Sequence, residues 1–184
     1  MSRPIIGLAG LMGAGKSAAA AYLEEHHGFR RIRIAGAIKD MARAFGLTER
    51  EIEGDLKEVG CDMLGGRTPR YFMQKLGTEF GRDMITHDLW VRAWRRSVDA
   101  APDGVGVVVE DVRYGNECEA IRAASPFSLI VRIQRSDASA GAAEHVSELQ
   151  SFPHDVLIRN DADIQSLHEK VNALLLCERL KAAP

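Results

Sequence analysis

The segment Gly10–Ser17, which reads Gly-Leu-Met-Gly-Ala-Gly-Lys-Ser, constrains this chain more than any other part of its sequence. An apolar run at residues 4–9 precedes it, and the helix-forming residues 18–23 follow it. A strand, a glycine-rich loop and a helix in this order form a phosphate-binding loop, in which backbone N–H groups and the helix N-terminus surround a phosphate. We therefore expect this segment to bind the phosphates of a nucleotide.

Two side chains of the loop suit ATP with Mg²⁺. Lys16 supplies a compact positive charge for the β- and γ-phosphates, and the Ser17 hydroxyl is placed to hold Mg²⁺. The loop alone leaves hydrolysis, phosphoryl transfer and nucleotide-dependent switching open. The candidate nucleotide-binding residues are Gly10, Leu11, Met12, Gly13, Ala14, Gly15, Lys16 and Ser17.

Composition limits the class of protein. The 184 residues are enough for one α/β domain, 1–184, and the net charge of −2 argues against nucleic acid as a partner. No apolar run is long enough for a membrane span, and the N-terminus leaves no room for a signal peptide before the first strand. Three widely spaced cysteines, Cys61, Cys118 and Cys177, favour a reducing, cytoplasmic location.

Strands and helices alternate along the chain, which predicts a three-layer α/β/α fold around a parallel sheet. The run Val105–Val109 is typical of a strand that is buried on both faces. Thr48 and Glu51 predict a capping box at the start of an acidic helix. The predicted strands are 4–9, 105–109, 127–133 and 155–158; the predicted helices are 15–26, 36–45, 49–59, 69–85, 88–99, 115–124 and 163–180, the last with Ile164, Leu167, Val171, Leu174 and Leu175 on one apolar face.

The helical stretch at about 36–100 reads as an insertion over the carboxyl edge of the sheet, where a second substrate would bind. Within its helix 69–85, the spacing places Phe72, Leu76 and Phe80 on a core face. A second row of Gln74, Thr78 and Arg82 lies on the opposite face and could contact a base and a phosphate. A solvated helix face fits the same spacing.

The end of the predicted strand 105–109 carries charges that suit a metal–phosphate site. Asp111 and Arg113 are two residues apart, so in an extended chain they point to the same side. Asp111 can then hold Mg²⁺ beside the glycine loop, although an ordinary ion pair at a strand end is the alternative. Downstream, Arg132 and Arg135 lead into small residues, which favours a lid at about 134–147 or an ordinary surface loop.

Several segments together resemble the deoxynucleoside monophosphate kinases of bacteriophages and related bacterial sequences. The most specific are Gln-x-Leu-Gly-Thr-Glu-x-Gly-Arg at 74–82 and Asp-Val-Arg-x-x-Asn-Glu at 111–117. They are accompanied, in order along the chain, by residues 10–17, 37–41, 89–91, 145–148 and 158–161. The resemblance departs at Ile34-Ala35, at Ala37-Ile38-Lys39 and at Ser125-Pro126, which bears on the acceptor base more than on the reaction.

The resemblance implies a P-loop kinase fold with a helical acceptor-binding insertion and a short lid. It implies that Asp111 and Arg113 lie between ATP and a nucleoside monophosphate acceptor, with Arg132 and Arg135 as lid arginines. It also implies that Asn160 lies near the donor adenine. The residues that would contact the acceptor are Lys39, Arg70, Gln74, Thr78, Arg82 and Trp90.

Phosphoryl transfer to a (deoxy)nucleoside monophosphate is the leading hypothesis, because an acceptor phosphate oxygen needs no general base. Kinases of other small metabolites, of the dephospho-coenzyme A, phosphomevalonate, gluconate or shikimate type, are the alternative, and a hydroxyl acceptor would need Asp111 as base. A nucleotide-binding regulatory module is a third reading. The sequence leaves open the acceptor's base and sugar, a homodimer, and the roles of His145, Ser147 and Glu148.

Overall fold

A computed structural model of the chain describes residues 3–136 and 152–181. The described residues form two compact units: one comprises the described parts of Met1–Arg33 and Ser97–Pro184, and the other is Ile34–Arg96. Within the described ranges, no helix combines the length and the apolar character that a membrane span requires. The predicted lid at 134–147 lies almost wholly outside these ranges, as do His145, Ser147 and Glu148.

The first unit is built on a five-stranded parallel sheet with the strand order β2-β3-β1-β4-β5. Helices cover both faces of this sheet, which confirms the predicted three-layer α/β/α fold. Its strands are β1 (Ile5–Ala9), β2 (Arg30–Arg31), β3 (Val107–Val112), β4 (Ser128–Gln134) and β5 (Val156–Arg159), and its helices are α1 (Lys16–His27), α6 (Gly115–Ala124) and α7 (Ile164–Lys181).

The core of this unit follows from the alternation of side chains along the buried strands. On one face, Leu8 and Val108 pack with Leu23 of α1 and Leu167 of α7. On the other face, α6 lies close to the sheet, because a Cβ placed on Gly7 would come within 2.9 Å of Ile121 Cδ1. The central strand β1 is wholly buried, so the loop that follows it starts from a rigid support.

The second unit is helical. It contains α2 (Gly36–Ala44), the short α3 (Glu49–Ile52), a 3₁₀ turn at Asp62–Leu64, α4 (Pro69–Lys75) and a π-helix (Leu76–Ile85) that continues α4; α5 (Leu89–Asp99) begins here and ends in the first unit. The predicted capping box is confirmed: Thr48 accepts from the Glu51 backbone N–H, and the Glu51 carboxylate accepts from the Thr48 N–H at 2.7 Å.

Several predicted elements need correction. The acidic helix ends at Ile52 rather than at residue 59, because Gly54 and the turns after it interrupt the helical hydrogen bonding. The two-residue strand β2 was not predicted, since two adjacent arginines carry no apolar pattern. The strand β3 runs on to Val112, so Glu110 and Asp111 lie inside it. On α7, Ile164 is exposed at the first turn, whereas Leu167, Val171, Leu174 and Leu175 are buried as expected.

The predicted helix 69–85 changes its winding in the middle. Its first seven residues are α-helical, and the next ten form a π-helix, whose hydrogen bonds run from residue i to i+5, as between the Thr86 N–H and Gly81 O at 3.0 Å. The predicted core face of Phe72, Leu76 and Phe80 is therefore wrong, because a row at i, i+4 and i+8 assumes α-helical winding. Phe80 is exposed, Phe72 and Leu76 are half-buried, and the buried positions are Pro69, Met73 and Gly81.

Candidate nucleotide and acceptor sites

The glycine loop has a backbone that only glycine accommodates at two of its positions. Gly10 has φ +143°, and a Cβ there would lie 2.1 Å from the carbonyl oxygen of Ile133. Gly15 has φ +105° immediately before α1, and a Cβ there would lie 2.5 Å from Asn160 Nδ2. The loop is thus held against the neighbouring strand and the segment after β5, in the turn that a phosphate-binding loop requires.

Lys16 folds back over this loop. Its Nζ donates to Gly10 O and to Leu11 O, both at 2.7 Å. The first turn of α1 contains no acidic residue, so the positive end of the helix is not neutralised from within. The ammonium group and the helix N-terminus therefore favour an anion at the same place, as the sequence predicts.

A buried carboxylate that the sequence did not single out lies beside the loop. Glu110 is 5% exposed, and its Oε1 accepts from Arg31 Nη2 at 2.6 Å and from Arg33 Nε. Burial alone would raise the pKa of Glu110, but the Arg31 hydrogen bond and the Arg33 charge outweigh it and hold that pKa below its usual range. The Ser17 hydroxyl makes a smaller contribution in the same direction, which places Glu110 next to the loop.

Alternation along β3 places Glu110 on the same face of the sheet as Val108, which packs with α1, and a β-bulge follows. Between Gly7 and Ala9 the strand β1 advances two residues, while β3 advances three, from Val109 to Val112. The extra residue falls at Glu110–Asp111, and bulges of this kind redirect side chains next to functional sites. After the bulge, Val112 lies on the face opposite to Val108, where a Cβ on Gly7 would come within 3.2 Å of its Cγ2. The sequence signal for Glu110 is the pair Glu110-Asp111 at the end of a buried strand. Because side chains alternate along a strand, only one of these two acids can face the glycine loop.

Strand register brings the other predicted catalytic residues to the same edge of the sheet. Ala9, the last residue of β1, lies opposite Val112 of β3 and Arg132 of β4. Asp111 and Arg113 flank Val112, and Arg135 follows β4 by one residue; Asp111 and Arg132 are half-buried, whereas Arg113 and Arg135 are exposed. The structure thus places these four residues at the carboxyl edge from which the glycine loop also starts.

The turn from β3 into α6 is fixed by Glu117 of the Asp-Val-Arg-x-x-Asn-Glu segment. Glu117 is 3% exposed, and its Oε2 accepts from the backbone N–H groups of Arg113 and Tyr114 at 2.7 and 3.0 Å. A carboxylate that accepts two backbone N–H groups at a helix start stabilises that start. This residue of the segment therefore holds the backbone from which the Arg113 side chain leaves.

Asn160 contacts the glycine loop itself. Its side chain is 5% exposed, and its Nδ2 donates to Ala14 O at 2.9 Å. Its backbone N–H donates to Gln134 O at 2.7 Å, which ties the segment after β5 to β4. This geometry favours support of the loop over the adenine contact that the resemblance implied.

The predicted acceptor residues all lie in the helical unit. Gln74, at the end of α4, and Thr78 and Arg82, on the π-helix, are half-buried, whereas Glu79 and Phe80 between them are exposed. Arg82 Nη1 donates to His87 O at 3.3 Å.

Three further predicted acceptor residues make contacts within this unit. Lys39 Nζ pairs with Glu53 Oε1 at 2.6 Å, and Arg70 pairs with Glu58. Trp90 is 4% exposed, and its indole N–H donates to Gly77 O at 2.7 Å, so the structure assigns it to the interior of the unit.

Comparison with known proteins gives one family. Residues 67–171 match the family model described as deoxynucleotide monophosphate kinase. A protein of Acanthamoeba polyphaga mimivirus, described as a candidate deoxynucleotide monophosphate kinase, is 29% identical to this chain; the alignment covers 91% of this chain and 93% of the viral protein.

Solved structures show the fold. The Mycobacterium tuberculosis APS kinase CysC in complex with AMPPNP and APS aligns with a TM-score of 0.52 at 15% identity, over 95% of this chain and 98% of that one. Shikimate kinase from Aquifex aeolicus aligns with a TM-score of 0.51 at 13% identity, over 96% of this chain and 98% of that one. At these identities the likeness shows the three-layer fold.

Proposed function

The chain belongs to the deoxynucleotide monophosphate kinase family, and we propose that it transfers the γ-phosphoryl group of ATP to the phosphate of a deoxynucleoside monophosphate, giving the diphosphate. Kinase chemistry and the use of ATP follow from the family. The acceptor is the part that is proposed, because the viral relative that names it shares 29% identity.

The match to the family over residues 67–171 carries this proposal. That range contains the π-helix, the end of β3 and Arg132 and Arg135, but it does not contain the glycine loop at 10–17. The loop's geometry therefore supports a nucleotide phosphate independently of the family match.

Little covalent chemistry is required of the protein. An acceptor phosphate oxygen is already a nucleophile, so alignment and neutralisation of charge account for the rate, and no general base is needed. Lys16 exchanges its two carbonyl partners for phosphate oxygens when ATP binds. Arg113, Arg132 and Arg135, on the same edge of the sheet, then supply positive charge to the group in transfer.

The residues beside the loop fit a Mg²⁺ ion. Glu110 Oε2 is buried and no well-formed hydrogen bond reaches it, while Oε1 is held by the two arginines. A carboxylate oxygen and a hydroxyl are the hard ligands that Mg²⁺ prefers, so Ser17 and Glu110 would hold the ion directly or through its waters. When bound, Mg²⁺ neutralises charge on the phosphates of ATP. Asp111, the metal ligand expected from the sequence, remains a prediction.

Gln74, Thr78 and Arg82, each half-buried in the helical unit, are the proposed acceptor-binding residues, with Lys39 and Arg70 as further candidates. An amide and a hydroxyl can hydrogen-bond a base edge, and a guanidinium can pair with a phosphate in a bidentate manner.

A coupled ADP-release assay over the four ribonucleoside and four deoxynucleoside monophosphates tests the proposal. We expect at least one deoxynucleoside monophosphate to stimulate ADP release strongly, with its diphosphate as the product by chromatography. Lys16→Met protein is the control for contaminating kinases. The proposal is wrong if no monophosphate stimulates release, or if shikimate, gluconate or dephospho-coenzyme A does so instead.

A further inference from the structure

The π-helix at Leu76–Ile85 is an unusual support for a binding residue. Most π-helical structure occurs as a single wide turn inside an α-helix, often at a functional site, whereas this one extends over ten residues. Two of those residues are glycines, Gly77 and Gly81, each of which disfavours helix formation by about 1 kcal/mol relative to alanine. Local preference therefore does not explain this winding, and a tertiary contact must hold it.

Trp90 supplies that contact. A Cβ on Gly81 would lie 2.3 Å from Trp90 Cζ2 and 2.4 Å from its Nε1, so the indole ring rests directly on the Gly81 backbone. The indole N–H donates to the carbonyl oxygen of Gly77, which lies four residues before Gly81 in the chain. The ring thus contacts the backbone at both positions, and at Gly81 it fits only because that residue has no side chain.

The two glycines immediately precede the acceptor-binding residues of the π-helix. Thr78 follows Gly77 and Arg82 follows Gly81, so the backbone that Trp90 holds is the backbone from which these two side chains leave. With α-helical winding the same side chains would start from different positions around the helix axis. Trp90 itself is buried and its single donor is used, so it has no free group with which to contact a ligand.

We propose that Trp90 is a positioning residue for the acceptor: it holds the π-helical winding at Gly77 and Gly81 and thereby sets where Thr78 and Arg82 meet the monophosphate. The inference rests on the proposed function, because it assigns to Thr78 and Arg82 the acceptor that the function requires. It differs from a purely structural role in one respect: loss of Trp90 affects acceptor binding and leaves ATP binding unchanged.

Steady-state kinetics on Trp90→Phe test this, with the best deoxynucleoside monophosphate of the assay above as the acceptor. Phenylalanine keeps an aromatic ring but loses the hydrogen bond to Gly77 O. Because one hydrogen bond contributes about 1 kcal/mol, we expect the acceptor KM to rise roughly threefold to tenfold. The ATP KM should stay within twofold. Trp94→Phe is the matched control, because Trp94 is 1% exposed on the same helix and lies outside this contact, and it should leave both KM values within twofold.

Gly81→Ala gives an independent reading, since its methyl group would displace the ring; we expect a rise of more than tenfold in the acceptor KM alone. Gly36→Ala, where a Cβ meets nothing within 4 Å, is its control. The inference is overturned if Trp90→Phe and Gly81→Ala leave the acceptor KM unchanged, or raise the ATP KM equally. If the wild-type protein phosphorylates no monophosphate, it is the proposed function that fails.

A measurement that keeps Trp90 in place covers the case in which both variants fail to fold. The chain has two tryptophans, so Trp94→Phe leaves Trp90 as the only indole fluorophore. We expect the acceptor monophosphate to change its emission and AMPPNP alone to leave it unchanged. Emission that responds to AMPPNP and not to the monophosphate would overturn the inference.

Discussion

Asn160 donates its side-chain amide to the carbonyl oxygen of Ala14 at 2.9 Å, and so joins the end of the sheet to the middle of the glycine loop. The same amide occupies the space beside Gly15 that a Cβ would need. A residue far along the chain therefore contributes to the shape of a loop near its beginning.

Replacing Asn160 with alanine should weaken ATP binding more than acceptor binding. Loss of the hydrogen bond to Ala14 O frees the loop, which we expect to raise the ATP KM roughly threefold to tenfold. Steady-state kinetics with each substrate varied in turn measure this. Asn172→Ala is the matched control, because Asn172 donates its amide to the Tyr22 hydroxyl at 2.7 Å and does not contact the loop. Equal effects of the two variants on the ATP KM would contradict the prediction.

Lys16→Met should abolish most phosphoryl transfer and leave the fold intact. The side chain donates to two loop carbonyls, Gly10 O and Leu11 O, so its charge lies where the loop would hold phosphates. We expect kcat to fall roughly a hundredfold to a thousandfold, with an unchanged circular dichroism spectrum. Lys170→Met, which removes a lysine that donates to Arg159 O on the surface, should leave kcat within twofold.

Glu110→Gln should lower stability at neutral pH, and the loss should disappear in acid. The pKa of Glu110 is lower in the folded state than its usual value of about 4.3, so its charge stabilises the fold above that pH and ceases to do so as pH falls through the folded value. We expect a loss of about 1–3 kcal/mol at pH 7, moderated because Arg31 and Arg33 are each about a quarter exposed.

Urea unfolding between pH 3 and 7 measures this difference. Glu79→Gln is the control: Glu79 pairs with Lys75 on the surface and should contribute less than about 0.5 kcal/mol. A loss for Glu110→Gln that is the same at pH 3 and pH 7 would show that its charge is not the cause.

Cys118 should resist alkylation in the folded protein. Burial, aided by the charge of Glu117, raises the pKa of this thiol to about 12, so little thiolate exists at pH 8. Pulsed iodoacetamide labelling with peptide mass spectrometry measures the two rates. In the folded protein, Cys118 should react more than about a hundredfold slower than the half-buried Cys61. In urea, the two cysteines should react at comparable rates. Equal rates in the folded protein would indicate that α6 opens readily.

Features with local signals could be predicted from the sequence. The glycine loop, its flanking strand and helix, and the Thr48–Glu51 capping box depend on residues a few positions apart, and all are found where the sequence indicates. The parallel sheet follows similarly from buried apolar runs between helices.

The features that escaped prediction depend on distant residues. The winding at Leu76–Ile85 reflects the contact with Trp90, which no periodicity within the segment reveals. The burial of Glu110 depends on two arginines that no pattern reveals: Arg31 ends a strand too short and too polar to recognise, and Arg33 follows that strand. The sequence indicates the correct edge of the sheet and the acid Asp111, but it does not single out the adjacent Glu110.

The close approach of Gly10 to the Ile133 carbonyl also has a thermodynamic consequence. A loop whose backbone is held this closely against its sheet gives up conformational freedom when the chain folds. ATP then binds to a preorganised loop, and its binding free energy is not reduced by the cost of ordering that backbone. Affinity for the donor is in this sense determined when the chain folds, before any ligand arrives.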